Sequence, residues 1–298
     1  MNLDDARTPA MKKLLFQLDT DAIPNTFDTV VAYDAGVDHV TPLGGITPAA
    51  VARLVEGVVF TRPPAAKHFS ALFVTGSDMA AGEAVFAAVR RQFFDNFRVS
   101  VMLDSNGSNT TAAAAIAQLA AEVPLTGKRA VILAGTGPVG QRAAVMLAKA
   151  GAQVVMTSRS LARASAACQA MNARFDLALQ PAEASDPTTT AACLAEAQIV
   201  MTTGAAGLEL LPLALWASHP TLEAVLDANA TPPLGISGIK IQDRGTLRHG
   251  KRCYGALGFG GLKLELQRTC VAQLFEANDR VLDAPEVFAL ACELVQRR

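Results

Sequence analysis

The chain has 298 residues, and 26 Lys and Arg against 27 Asp and Glu leave a net charge of −1. Its length suits two α/β domains, and 51% hydrophobic against 18% charged residues supplies material for cores and excludes a disordered chain. The missing basic excess excludes a general nucleic-acid binder, whose affinity comes from Lys and Arg neutralising phosphates.

Residues 1–11 carry charges and a proline without periodicity and read as a loose extension. A strand is expected at 14–18 and a helix from Pro24 to Ala35. Thr47-Pro48 reads as a cap followed by a first-turn proline, opening a helix to Val55. A strand at 71–74 leads to a helix capped at Ser77 or Asp78 and reaching Phe94, and a strand at 97–103 runs into the polar stretch Asp104–Thr111. An alanine-rich helix follows to Glu122. The second half opens on Ala130–Ala134, wholly apolar as a parallel strand covered on both faces is. Then come a helix from Val139 to Ala150, a strand at 153–157, a helix at 161–175, strands at 198–202 and 222–226, and helices at 261–275 and 284–295. The alternation predicts α/β architecture with parallel sheets: a smaller α/β catalytic domain over 11–123 and 276–298, closed by the returning C-terminal helix, and a Rossmann-type domain over 124–275. The alanine-rich helices at 78–90 and 112–121 offer a subunit contact or internal packing, and a homo-oligomer is expected.

No uncharged apolar run approaches the ~20 residues of a membrane span, and Met1–Asp5 lack a signal peptide's basic and apolar regions. The scattered cysteines (Cys168, Cys193, Cys253, Cys270 and Cys292) form no pair at ligand spacing with one another or with the histidines. Reduced thiols, no metal and a cytoplasmic setting are therefore expected.

The run Gly135-Thr136-Gly137-Pro138-Val139-Gly140 is a GxGxxG turn between an apolar strand and a helix, with a second strand in the same unit. Gly135 is expected to permit the tight turn, Gly137 to let backbone approach a pyrophosphate, and Gly140 to let helix and strand pack closely. The pyrophosphate would sit on the helix N-terminus, and Pro138 suits its first turn. The second strand ends in Thr157-Ser158-Arg159, with Arg163 a turn later and no carboxylate for a ribose hydroxyl. Arg159, with Arg163 and the Ser158 hydroxyl, suits a 2′-phosphate, so NADP is the expected cofactor. Thr203, Gly204, Ala205, Asn229 and the bare backbone of Gly258 follow later strands and are further candidates for the cofactor crevice.

Acid–base sets are missing. There is no GxSxG elbow and no YxxxK pair, since Val37 stands four after Tyr33 and Gly258 four after Tyr254. This argues against a short-chain dehydrogenase and against a folate-type cyclohydrolase. Polar residues gather at strand ends instead: Asp19-Thr20-Asp21, Phe27-Asp28, the stretch 104–111, and Lys263 beyond the late glycines. Asp and Asn also favour caps and turns, so each of these has a structural reading beside the functional one.

The segments LLFQLDTDAIPNTFD (14–28), SDMAAGEAVF (77–86), RVSVMLDSNGSNTTAAAA (98–115), AVILAGTGPVGQRAA (130–144), ANATPPLGI (228–236) and GALGFGGLKLELQR (255–268) resemble the NADP-dependent methylene-tetrahydromethanopterin dehydrogenases of methylotrophic bacteria. The similarity runs from about Lys12 to the end. It implies two domains with a pterin cleft, and oxidation of methylene-tetrahydromethanopterin, with methylene-tetrahydrofolate as a further substrate, to the methenyl form by hydride transfer to NADP+ in one-carbon and formaldehyde oxidation. The cation formed is shared by two nitrogens and no proton moves, which agrees with the missing acid–base residues. On this reading Asp28 favours the developing charge, Phe27 stacks on a ring, Lys263 holds a polar edge of the pterin, and Asp104, Asn106, Asn109 and Thr110 supply substrate contacts. The alternatives are a dehydrogenase acting mainly on the folate form, and a non-catalytic NADP-sensing module.

Overall fold

The computed structural model describes residues 11–298, and all but the last residue of the expected N-terminal extension lies outside them. The chain divides into two compact units. One runs to Asn106 and adds Arg268–Val281; the other holds Gly107–Gln267 and Leu282–Arg298.

The first unit is built on β1 (Leu14–Asp19), β2 (His39–Leu43), β3 (Ser70–Thr75) and β4 (Ser100–Leu103), in a five-stranded sheet completed by the short late strand Val281–Leu282. β1 pairs in parallel with β2 and β3, and β3 with β4. Helix α1 (Thr26–Asp34) starts where Asn25 accepts the Phe27 N–H. Helix α2 (Val51–Phe60) turns Val51, Val55, Val58 and Val59 inward, against Leu18, Leu72 and Val74 of the sheet and the buried face of α3 (Met79–Arg91). Asp78 caps α3, as its position before the apolar pattern predicts. β2 was not expected from the sequence: His39, Thr41 and Pro42 break the apolar pattern because the strand lies at the sheet edge, where proline is tolerated.

The second unit holds a seven-stranded sheet made of β5 (Arg129–Leu133), β6 (Gln153–Ser158), β7 (Gln180–Glu183), β8 (Ile199–Thr202), β9 (Ala224–Asp227), β10 (Arg244–Arg248) and β11 (Lys251–Tyr254). Its order is β10-β11-β9-β8-β5-β6-β7, parallel except for the β10–β11 hairpin. The chain runs outward from β5 to β7, then returns to lay β8 on the other side of β5. Helices α4 (Ser108–Glu122), α5 (Pro138–Lys149) and α6 (Leu161–Phe175) match the expected spans to within a few residues. Ala112–Ala117 of α4 are at most 2% exposed, so its alanines are spent on internal packing. The short helices α7 (Pro187–Leu194) and α8 (Leu213–Trp216), with β7, β10 and β11, were not foreseen; they are short, and β7 and β10 are largely exposed. Helix α9 (Ala256–Gln273) begins five residues earlier than the pattern indicated, across glycines that sequence alone reads as a loop. Helix α10 (Ala284–Gln296) is closed by a capping box of Asp283 and Glu286 and packs on α4 and α5.

Among the described residues, no helix is long and apolar enough to cross a membrane. All five cysteines are free.

Candidate active site

The strand order reverses between β5 and β8, and in open parallel sheets the crevice at such a switch point takes the ligand. A cavity of about 240 Å³ lies there. It is lined by the turn after β5 (Leu133, Ala134, Thr136, Gly137), the end of β6 and start of α6 (Ser158, Arg159, Arg163), and Thr203, Gly204 and Ala205 after β8. These residues were named from sequence, apart from Leu133 and Ala134. Ala184, Thr190, Leu208 and Leu210 complete the wall and were not. Thr190 sits on α7, whose only signal is Asp186-Pro187, a cap followed by a first-turn proline.

The glycines divide their labour differently from the expectation. The left-handed residue of the turn is Ala134, with φ of 54°, not Gly135. Gly135 is glycine for space: a Cβ there would stand 2.6 Å from Met156 Cγ and 3.1 Å from the Ile132 carbonyl. Gly140 is the tightest, since its Cβ would stand 2.5 Å from both the Gly135 carbonyl and Thr203 Oγ1. Gly137 is open, with only the Thr203 carbonyl, 3.9 Å away, near its Cβ position. The turn is tied to β6, where Gly135 N–H donates to the Thr157 carbonyl at 2.8 Å, and to β8, where Thr203 Oγ1 donates to the Ala134 carbonyl at 3.2 Å.

Helix α5 starts at Gly137 with no side-chain cap and with Pro138 in its first turn, so Val139 and Gly140 offer their N–H groups to an acceptor outside the helix. An uncapped N-terminus, an open glycine and two exposed arginines fit a dinucleotide's phosphates. Arg163 lies in the first turn of α6, whose cap Ser160 accepts the Arg163 N–H at 3.5 Å.

Two other candidates lie outside that lining. Asn229 is buried, with Nδ2 donating to the Pro233 carbonyl and Oδ1 accepting from Thr231 N–H, so its amide holds the 229–233 loop. A Cβ on Gly258 would run into the Asp243 carbonyl, so chain packing alone demands glycine there. Beside Asn229, Asp227 is fully buried and accepts from Thr202 Oγ1 at 2.8 Å, Asn229 N–H at 2.9 Å and Ile236 N–H at 3.2 Å. Burial outweighs these bonds and pushes its carboxyl above the usual range.

In the first unit, Asp28 is buried in the first turn of α1 and Phe27 is 46% exposed beside it. Asp19 is a structural hub, accepting from Asp21 N–H, Asn25 N–H and Thr75 Oγ1 with no exposed surface. Asp104 is also wholly buried, and its N–H donates to the Val74 carbonyl. Asn106 stands exposed with φ of 55°, followed by Gly107 at 58°. Two successive left-handed residues explain the Asn-Gly pair by conformation alone.

In the second unit, Asn109 and Thr110 are fully buried. Asn109 donates to Asp283 at 3.4 Å and Thr110 to the Gly107 carbonyl at 3.4 Å. Lys263 is half-buried on α9 and donates to Gln267 Oε1 at 2.6 Å. Its ammonium end stands 3.6 Å from where a Gly107 side chain would begin, directly over the start of α4.

Fold and site together define a Rossmann-type dinucleotide-binding protein. Two solved structures share that fold at low identity: shikimate 5-dehydrogenase from Listeria monocytogenes in complex with shikimate and NAD (TM-score 0.53, 14% identity, covering 97% of this chain and 99% of that one) and a chorismate mutase/shikimate 5-dehydrogenase fusion protein from Clostridium acetobutylicum (TM-score 0.51, 8% identity, covering 96% and 99%). The family model for the N-terminal part of methylene-tetrahydromethanopterin dehydrogenase matches residues 26–106. Two proteins of Methylorubrum extorquens match nearly the whole chain. The bifunctional protein MdtA is 53% identical over 95% of this chain and 99% of its own length; an NAD(P)-dependent methylenetetrahydromethanopterin dehydrogenase is 30% identical over 90% and 94%. The chain belongs to the methylene-tetrahydromethanopterin dehydrogenase family.

Proposed function

We propose that this protein oxidises methylene-tetrahydromethanopterin, and methylene-tetrahydrofolate with it, to the methenyl form by direct hydride transfer to NADP+ in one-carbon oxidation. The observation that carries the cofactor half is the cavity at the β5/β8 switch point with Ser158, Arg159 and Arg163 in its wall and no carboxylate in its lining. A ribose hydroxyl asks for Asp or Glu there, and a 2′-phosphate for guanidinium. Gly135–Gly140 would cradle the pyrophosphate, and Thr203–Ala205 would flank the ring end.

The substrate carbon lies between two nitrogens. One C–H bond breaks, both its electrons leave as hydride to the nicotinamide, and the cation left behind is shared over N–C–N. No proton is transferred, so the residues have to orient and to stabilise charge. Asp28 is the carboxylate assigned to the developing cation and Phe27 the ring partner. Lys263 is assigned to a polar edge of the pterin, because an ammonium beside the reacting carbon would oppose the charge. Asp104, Asn106, Asn109 and Thr110 are assigned the substrate hydrogen bonds. Without a Tyr–Lys pair, cyclohydrolase activity is not expected of the chain.

The functional division is read as 11–123 with 276–298 against 124–275, which sorts the strands by sheet, whereas the compact units place α4 and α10 with the seven-stranded sheet. The free cysteines suit a cytoplasmic setting. The chain is also read as a homo-oligomer, and with Ala112–Ala117 buried, a surface other than α4 has to serve.

Absorbance at the reduced-cofactor band, with NADP+ and either C1-loaded pterin, tests the reaction; no reduction with either substrate overturns it. Lys263→Ala should lower turnover or pterin affinity about 100-fold while leaving NADP+ binding intact, the scale of a lost positioning contact. Unchanged kinetics remove Lys263 from the site.

A further inference from the structure

The described residues of the second unit include three buried aspartates, Asp227, Asp243 and Asp283. Two of them face a cation. Asp243 accepts two hydrogen bonds from Arg248, at 2.6 and 2.7 Å, and Asp283 accepts one from Arg174 at 2.6 Å. Asp227 has no such partner. Its oxygens accept from the Thr202 hydroxyl and from the Asn229 and Ile236 N–H groups, all of them neutral. A carboxylate with no exposed surface and no counter-charge is costly to bury. Aligned donors lower that cost without cancelling the charge.

The place of Asp227 in the sheet gives that charge a target. Asp227 ends β9 and pairs in register with Thr202, the last residue of β8. The residues that follow Thr202, from Thr203 to Ala205, line the switch-point cavity. Ser158, Arg159 and Arg163 hold the opposite flank, beyond β6, and suit the 2′-phosphate of the adenosine half. A dinucleotide with its pyrophosphate on the turn after β5 then lays its nicotinamide half toward β8 and β9. Asp227 stands behind that flank and not in the cavity wall. Gly235 closes over it, since a Cβ there would come within 2.7 Å of both Asp227 Oδ1 and Thr202 Oγ1. Glu209, on the loop after β8, is exposed and accepts from the Ser237 hydroxyl, where water and salt screen its charge.

We infer that Asp227 sets the preference of this cofactor site for the oxidised over the reduced dinucleotide, its buried negative charge answering the positive nicotinamide ring that hydride transfer neutralises. This rests on the NADP reading of the cavity. NADP+ and NADPH share the adenine, the 2′-phosphate and the pyrophosphate, and differ at the ring by one hydride and one positive charge. A fixed anion behind the ring end attracts the first form and is indifferent to the second. In surroundings of low dielectric that attraction reaches further than one from an exposed carboxylate. The consequence falls at cofactor exchange. Once the ring has lost its charge the attraction lapses, and the reduced product gives way to fresh oxidised cofactor. An Asp227 that only ties the 229–236 loop to β8 would support both forms equally.

Binding of both forms to the full chain, without pterin, tests this: NADPH through its own fluorescence and NADP+ by competition against it. Asp227→Asn keeps the shape of the side chain and an acceptor for Thr202 and Asn229 while removing the charge. It should weaken NADP+ about 10-fold and NADPH by less than about 2-fold. Arg159→Ala is the comparison. Both forms carry the 2′-phosphate, so that variant should weaken both alike and leave their ratio at the wild-type value. Equal weakening of the two forms by Asp227→Asn, or no change in either, overturns the inference and leaves Asp227 a loop anchor. Urea unfolding followed at Trp216, the single tryptophan, reports that each variant is folded. If Asp227→Asn does not fold, the wild type decides: NADP+ bound at least as tightly as NADPH is expected, and NADPH bound more tightly overturns the inference. A wild type that binds neither form overturns the NADP reading itself, a result distinct from an unchanged ratio.

Discussion

The turns after β4 and after β5 look alike in sequence and are built in opposite ways. Each leaves a buried parallel strand, passes a polar, glycine-bearing stretch and opens a helix with a buried face. After β5 the backbone points outward. One residue, Ala134, turns left-handed, Gly137 is open, and α5 starts without a side-chain cap. After β4 the polar side chains other than Asn106 are drawn in. Asn106 and Gly107 spend both left-handed positions, Asn109 reaches Asp283, and Thr110 folds back on the Gly107 carbonyl. The first turn offers main-chain donors to an anion. The second is tied by its own side chains, with the Lys263 ammonium over Gly107. A site made of backbone can be read from glycine spacing; one held by side chains cannot, because the same residue types serve as caps and as ligands.

The contrast can be broken most sharply at Gly140. A valine there meets the Gly135 backbone and Thr203, with no flexible atom on the Gly135 side to yield. Gly140→Val should weaken NADP+ binding at least about 100-fold by displacing the helix start. A cofactor fluorescence titration with unaltered affinity would show that the turn is not the phosphate site. Arg159→Ala comes next, with an expected loss of about 10- to 100-fold for NADP+ and little for NAD+, the range of one or two charge-assisted hydrogen bonds. Equal losses for both cofactors would take the 2′-phosphate away from Arg159.

Asn109→Ala examines the inward-facing turn. It leaves Asp283 with Arg174 but without the amide, and should cost about 1–3 kcal/mol in urea unfolding, as an unmade buried hydrogen bond does. Unchanged stability with a raised pterin KM would make Asn109 a ligand residue and the two turns more alike than they look. The smallest effect is expected at Asp227→Asn. The amide oxygen can keep Thr202 and Asn229, the Ile236 N–H loses its acceptor, and a buried charge disappears, for a net change within about 1 kcal/mol at neutral pH. Its signature is in pH. The folded carboxyl is raised above 3.8, so the wild type holds its extra stability below that value and loses it as pH rises through the raised pKa. The Asn variant should lack that decline in unfolding free energy measured across the acid range.

Much of the fold was legible because its strands and helices are long and covered. β1, β3, α3, β5, α5, α6 and α10 follow from apolar runs and from the cap at Asp78. β2, β7 and α7 were not legible, because edge and surface elements need little apolar pattern to be held by neighbours. Of the wall of the switch-point cavity, the sequence named the residues in or directly after the glycine motif and strand ends. Thr190, Ala184, Leu208 and Leu210 reach it from distant segments that only chain folding brings together. The amino-acid sequence by itself determined the dinucleotide turn, the arginine pair beside it and the family, since each is written in contiguous residues. Only the tertiary structure decided that Gly135 and Gly140 are glycines for space while Ala134 carries the left-handed bend, and that the alanine face of α4 is spent inside the protein. Close approach and burial are properties of atoms far apart along the chain, and no local spacing encodes them.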